Sequence, residues 1–524
     1  MQESRSVSRT RYQGGGLRHE AREAAPGPAT DLRTTAPARP LLWLLAVAGA
    51  FTLAQLALAV PGVGLGWDET VYVSQISPQA PAAFFSAPRA RGITFLVAPV
   101  AAWTTSTEAL RVYLALLSGC GLFAALWVWR RLLPAPVLAV AGALIASLWV
   151  TVFYGPQAMP NLWVALGALA AVGCFLRAAR DPGDHRALIG LGAGMALAAL
   201  MRPTDAVWLA LPLAGAALSV PNSRRTLLLA VLVGSAVLGC AEWVVEAYAA
   251  YGGLGARLAR ASEIQGHLGW YFAVDDHARA LGGRTLCRPC DGSLSHPVSA
   301  LWFLALPLIV TGGVRAAART GRRVPVLLAA AVGATLAVPY LFTVGYAAPR
   351  FLLPAYALLA VPTAYGLVRA LAQPRRWRPA VVALLAGCLA VHLVTQYLVL
   401  DGVTGRARAT AAANARVAAV LRTHGVRPPC VLTGDDAIRV AFLTGCASRQ
   451  PTGHDAGITP GALAEAGVRR PVVVLLSGGQ GIPSYARSWR PLDLPDPPAR
   501  PGYRAYVSPA AGSNPLAPVA GPAH

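Results

Sequence analysis

Residues 41–72 read LLWLLAVAGAFTLAQLALAVPGVGLGWDETVY. The segment 41–60 holds no ionisable side chain, and as a helix it is long enough to cross the ~30 Å hydrocarbon layer of a bilayer. Pro61 and Gly62 break the run, and two adjacent carboxylates, Asp68 and Glu69, follow between Trp67 and Tyr72. The chain therefore enters a membrane here, and its first concentration of polar chemistry lies just outside that membrane. Residues 1–40 precede the span and carry seven Arg, which is too long a lead for a cleaved signal sequence, so the span reads as a signal anchor.

Comparable apolar runs recur near 110–129, 137–155, 160–176, 187–201, 204–220, 226–246, 298–314, 324–345, 351–370 and 379–399, giving eleven expected transmembrane helices. Composition agrees: 55% of residues are hydrophobic and 13% charged, against roughly 25% charged in soluble domains. A formal charge of +22 could suggest nucleic acid, but all 45 basic residues are Arg and many sit in short clusters between apolar runs. That is a topology signal, and it excludes a nucleic-acid partner. With the N-terminus cytoplasmic, the arm and the inner linkers hold 22 Arg against ten in the outward loops, the asymmetry that the positive-inside rule requires. An odd number of spans then places everything after residue 400 outside the plasma membrane. The expected architecture is mainly α: a polytopic membrane helical bundle with a small extracytoplasmic α/β domain. Its parts are a disordered basic cytoplasmic arm over 1–40, a transmembrane domain over 41–400, the α/β domain over 401–510 and a disordered tail over 511–524.

Two outward loops are long. The first, 61–109, contains the acidic pair, then Pro88-Arg89-Ala90-Arg91-Gly92 and a short apolar stretch, 93–103, that predicts a helix lying at the interface with Trp103 as its anchor. The second, 247–297, carries His267, Asp275, Asp276 and Cys287-Arg288-Pro289-Cys290. In the C-terminal domain an Ala- and Arg-rich helical pattern over 404–424 precedes the strand-like runs Val431–Leu432 and Val472–Leu476, and the Pro-rich chain after Arg490 reads as irregular. Thr433-Gly434-Asp435-Asp436 reads as a strand-to-helix turn in a domain that helps recognise the acceptor. Cys120, Cys174, Cys240 and Cys388 fall inside apolar runs and read as packing residues. Outside, Cys287 and Cys290 suit a local disulfide better than zinc, and Cys430 and Cys446, flanking neighbouring strand segments, are expected to be oxidised to a second one.

At 100° per residue Asp68 and Glu69 cannot share one helical direction, so one of them faces any cavity. A partly desolvated carboxylate there has raised proton affinity and suits general-base work. The plainer alternative is that Asp68 caps the N-terminus of a surface helix.

The order and side of several motifs resemble the GT-C superfamily of membrane glycosyltransferases, in the branch of the protein O-mannosyltransferases and aminoarabinose transferases. These motifs are Trp67-Asp68-Glu69-x-x-Tyr72 after the first span, Pro88-x-x-x-Gly92 leading an interfacial helix, Arg111 opening the second span, Arg202-Pro203, and Pro349-Arg350-Phe351-Leu352-Leu353-Pro354. The resemblance covers about residues 40–400. It implies an enzyme that moves a sugar from a polyprenyl-phosphate donor, delivered by the lipid bilayer, to a glycan, lipid or protein acceptor of unspecified kind. It also implies Asp68 as general base with Glu69 beside it. Arg89, Arg91, Arg202 and Arg350 map to head-group depth and are the expected ligands of the donor phosphate, the alternative being simple interfacial snorkelling. Tyr72, Asp205, His267, Asp275 and Asp276 are further candidates. A second acidic residue, frequent in such proteins, is missing from the next outward loop, Gln157-Ala158-Met159-Pro160-Asn161, so no metal is assigned; a divalent cation is the one cofactor the resemblance leaves open. The rival readings are a membrane transporter or lipid flippase, against which stand the lack of an internal repeat and the crowding of polar loops on one side, and a catalytically dead scaffold.

Overall fold

A computed structural model describes residues 38–372, 376–498 and 500–511. The basic arm, apart from the start of the first helix, and the tail beyond Ala511 lie outside the described residues, as does Arg375 of the last inner linker.

Each of the eleven apolar runs is helical, but they are not eleven equal spans. Among the described residues eight helices are long and apolar enough to cross a membrane alone: Leu41–Ala59, Thr107–Arg131, Pro160–Arg180, Asn222–Ala250, Pro297–Ala318, Arg323–Phe342, Pro349–Leu371 and Arg378–Thr423. The third run is broken at Leu148 into Ala135–Ser147 and Trp149–Tyr154, and its freed Trp149 N–H donates to Gln396 Oε1 of the last long helix at 2.7 Å. A side chain thus satisfies the backbone group that lipid could not. His185–Met201 and Pro203–Ala217 are also shorter, split where Pro203 cannot donate to continue the helix. Pro160–Arg180 is the buried centre of the bundle. It meets His185–Met201 so closely that a Cβ on Gly167 would lie 2.9 Å from the Gly194 carbonyl oxygen, a small-residue contact of the kind that holds helices together in lipid.

The connections sort to two ends, as alternating spans require. At one end Arg322 donates to the Leu132 carbonyl and Arg224 to that of Ala179. At the other end gather the two long loops, the turn at 155–159, Arg202, the Pro349–Leu352 turn and the C-terminal domain. The stretch expected to lie at the interface forms the helix Gly92–Ala101.

The last span does not stop at residue 400. Arg378–Thr423 is one helix of 46 residues that leaves the bundle and becomes the first helix of the domain, so the boundary expected at 400/401 falls within continuous structure. Beyond it lie β1 (Val431–Gly434), β2 (Ala447–Ser448), β3 (Val472–Leu476), β4 (Arg490–Asp493) and β5 (Arg504–Val507), in the sheet order β2-β1-β3-β5-β4. β1 runs parallel to β2 and β3, with helices Ala437–Thr444 and Pro460–Arg469 as crossovers; β5 is antiparallel to β3 and β4. Between Arg490 and Val507 the chain is therefore not irregular: its prolines there fall in the loop and in the edge strand β4, positions that need no central ladder donor. Cys430 and Cys446 are joined by a disulfide, as are Cys287 and Cys290. Arg408 ties the long helix to the carbonyls of Leu58 and Pro61, Gln79 reaches the Phe442 carbonyl, and Arg449 that of Ala82, so the domain is stitched to the first loop.

Gly434 ends β1 at φ +91°, and a Cβ there would stand 2.1 Å from the Leu475 carbonyl oxygen. Gly434→Ala should destabilise the domain by about 1–3 kcal/mol or more, seen as a lower melting temperature of the purified protein. An unchanged melting curve would remove this constraint.

Candidate active site

The helix Trp67–Ser74 is capped at Gly66, whose N–H donates to Glu69 Oε2 at 2.8 Å. The N-terminus is thus satisfied by Glu69 reaching back, and Asp68 is not the cap of the plainer alternative. Glu69 also accepts two hydrogen bonds from Arg111, at 2.6 and 2.8 Å, and one from the Ala158 N–H at 2.7 Å. Both side chains are almost solvent-free, at 2% and 1% exposure. Arg111 spends its remaining donors on the carbonyls of Val63, Gly64 and Pro156. With its oxygens committed to these partners, Glu69 holds three segments together and does not border the cavity described next. Its contacts are those of a buried structural ion pair. Asp68, one step round the helix, points the other way.

Asp68 faces a cavity of about 880 Å³ lined by the two long loops and the C-terminal domain. Its Oδ1 lies 2.6 Å from Arg89 Nη2 and its Oδ2 3.0 Å from Arg350 Nη2. Burial pushes the carboxyl upward in pKa, but Arg89 and Arg350 outweigh it and hold it below its usual value. In the ligand-free protein the expectation of raised basicity is therefore reversed by its two cations. Arg89 is steadied by Ser86 Oγ at 2.7 Å and lies against the rings of Trp67 and Tyr72, the latter also bordering the cavity. Arg350 donates to the Thr285 carbonyl at 3.1 Å and packs against Tyr154 and Phe351. Arg202 joins them at the rim, against Tyr340 and Phe351, with Asp205 Oδ2 3.2 Å from its Nε. The Nε of Arg350 is buried and makes no hydrogen bond among the described residues, while that of Arg202 is ion-paired to Asp205.

Other expected residues lie elsewhere. Arg91 binds Glu246 at 2.5 Å and Glu242 at 3.3 Å and stacks on Phe85, away from the cavity that Arg89 lines. Glu246 also pairs with the fully buried Arg257, which donates to the carbonyls of Ala87, Arg89 and Trp243. This cluster fixes the backbone that presents Arg89. Asp205 is buried and accepts from the Tyr340 hydroxyl, supporting Arg202 from behind. His267 is exposed, Asp275 is an exposed partner of Arg279, and Asp276 stands beside it; none of the three borders the cavity. In their place come Arg288 from the second loop and His454 and Asp455 from the C-terminal domain. Burial, with Asp68 adding to it, pushes the Asp455 carboxyl up, while Arg89 and His454 oppose. No sequence signal marked these residues, because only the folded domain brings 454–455 to Asp68. Among the described residues no three His, Cys, Asp or Glu side chains gather to hold a metal, and both Asp68 oxygens are taken by guanidinium groups.

No family model matches the chain, and no curated protein matches it in sequence. Solved structures do match in fold. ArnT from Cupriavidus metallidurans bound to undecaprenyl phosphate aligns at 14% identity over 92% of this chain and all of its own, with a TM-score of 0.59. Its apo state gives 0.60 at 14% identity, covering 91% and 99%. The Archaeoglobus fulgidus oligosaccharyltransferase tethered to an acceptor peptide aligns at 16% identity over 83% of this chain and 69% of its own, with a TM-score of 0.50. The chain has the fold of the GT-C membrane glycosyltransferases.

Breaking a buried ion pair leaves an uncompensated charge and costs about 3–5 kcal/mol. Glu69→Gln should accordingly lower the melting temperature steeply, with little folded protein recovered from membranes. A melting curve matching the parent protein would show that the Glu69–Arg111 pair does not hold the loop.

Proposed function

We propose that this chain is an integral membrane glycosyltransferase that moves a sugar from a polyprenyl-phosphate donor to an acceptor hydroxyl, on the extracytoplasmic face of the plasma membrane. One observation carries this reading: a carboxylate, Asp68, set between Arg89 and Arg350 at the span ends, in a cavity that Arg202 and Arg288 also line. A lipid phosphate leaving group is delivered from the bilayer, so its cations must stand where the helices end. The fold shared with a protein bound to undecaprenyl phosphate supports that donor class. The Arg asymmetry of the linkers supports a cytoplasmic N-terminus and an outer cavity.

In the proposed step the acceptor oxygen bonds to the anomeric carbon and its proton passes to Asp68. The bond from that carbon to the phosphate oxygen breaks, and the polyprenyl phosphate leaves with its new negative charge held by Arg89, Arg350 and Arg202. The arginines that weaken Asp68 as a base in the free protein are those the donor phosphate would engage. Donor binding then draws their field away from Asp68 and raises its proton affinity when an acceptor arrives.

Incubation with a panel of polyprenyl-phosphate sugars should release polyprenyl phosphate; transport of the intact lipid without cleavage would favour a flippase instead. Asp68→Asn should lower turnover by about 10² to 10⁴, and near-normal turnover in a folded variant would sink the base assignment. The sign of the field change predicts that the acid limb of kcat, which reports the donor complex, lies at higher pH than that of kcat/KM, which reports the free enzyme; coincident limbs would refute it. Arg350→Ala should weaken donor binding at least about tenfold, the loss of one charge-assisted contact. On intact cells an impermeant thiol reagent should reach an engineered Cys in the C-terminal domain and not one in the arm, and the opposite labelling would overturn the topology.

A further inference from the structure

The cavity has two walls of different chemistry. Its membrane-side wall carries four arginines: Arg89, Arg202, Arg288 and Arg350. The wall contributed by the C-terminal domain carries none, and presents Asp435 and Asp455 instead. This second wall is made where β1 and β3 end: Thr433 and Gly434 close β1, Leu476 closes β3, and Gln450 follows β2. The carboxyl ends of parallel strands are the usual place for a ligand in an open α/β sheet, because the loops there diverge and leave a crevice. Here the crevice opens into the cavity that holds Asp68.

The crevice is fixed from below and unspent above. Gln450 closes the β1 turn, donating to the Gly434 carbonyl and accepting from the Gly434 N–H. The loop that follows is closed by the Gly457 N–H donating to the Gln450 carbonyl at 2.9 Å. That loop projects Thr452, His454 and Asp455 into the cavity, and none of the three side chains has a hydrogen-bond partner among the described residues. Asp455 stands near enough to Arg89 and Asp68 to feel the charge of both.

Resting on the glycosyltransferase reading, we propose that this crevice is the acceptor subsite, that it binds a neutral carbohydrate, and that Asp455 accepts a hydrogen bond from a hydroxyl of that sugar and turns it toward Asp68. Carboxylate, amide, hydroxyl and a tyrosine ring, here Tyr485, are the groups that hold a polyol: each carboxylate oxygen takes a hydroxyl proton and the ring covers an apolar sugar face. An anionic acceptor meets Asp435 and Asp455 and is repelled, whereas the arginine wall opposite draws the donor phosphate. The split in charge keeps the two substrates from exchanging places.

The test reads sugar binding without turnover, so it stands apart from any test of transfer. The full chain in lipid nanodiscs, free of sugar detergents, is probed by saturation-transfer NMR with methyl glycosides of glucose, mannose, galactose and arabinose, and with a neutral Ser/Thr tripeptide. At least one glycoside should bind, and Asp455→Asn should weaken it at least about tenfold, as expected for loss of a charge-assisted hydrogen bond, while binding of polyprenyl phosphate stays unchanged. Thr452→Ala, at an exposed position on the same loop, should weaken it in the same sense and guards against a folding defect in the first variant. No glycoside binding, binding indifferent to both variants, or binding of the peptide alone would overturn the proposal. Sugar binding without release of polyprenyl phosphate from any donor would leave the subsite standing and refute the transferase reading.

Discussion

The Glu69–Arg111 pair is the constraint on which the site depends. Two opposite charges have been taken almost wholly out of water beside a membrane, which is costly unless every lone pair and proton is used. They are: the guanidinium also binds carbonyls at 63, 64 and 156, and the carboxylate also binds N–H groups at 66 and 158. The first loop, the second span and the turn after the broken third run therefore have one arrangement in which nothing is left unpaired. Asp68 inherits its direction from that arrangement.

A second ion network does the same for the cations. Arg257, Glu246, Glu242 and Arg91 spend their charge on one another and on the backbone at 87–91, and what emerges on the cavity side is Arg89. Opposite it, Arg350 comes from a Pro-rich turn held by Thr285 and Tyr154. Rigid placement matters because charges aimed at a leaving phosphate help only if they need not reorganise as it departs. The cluster that looks most chemical in composition, with two glutamates and two arginines, is scaffolding, while the sparser group around Asp68 borders the open space.

The fold was largely legible because a bilayer leaves few options: long apolar runs must be helices, and arginine clusters mark one side of them. Where the reading failed, the failure was local or long-range. Arg89 and Arg91 lie two residues apart with equal claims in sequence, and only the packing of Glu242 and Glu246 against Arg91 decides between them. Asp68 and Glu69 differ by a single step of a helix whose orientation is set by Arg111, forty-odd positions away. The loop acids at 275–276 were visible but stand away from the cavity, whereas 454–455 were unremarkable until a sheet carried them to it. The strands after Arg490 were hidden by prolines that an edge strand tolerates.

The helix Arg378–Thr423 passes from the bundle into the C-terminal domain without a joint. At 1.5 Å per residue it is a rod of roughly 70 Å, and about half of it stands beyond the apolar run that ends near residue 399. A lipid-embedded helix changes tilt when the bilayer thins or thickens, and a swing of about 5° moves the far end of such an overhang by some ~3 Å. Arg408, Gln79 and Arg449 resist that swing from the first loop. A rod of this length would carry any change of tilt straight to the domain's wall of the cavity, and it is these few side chains that oppose it.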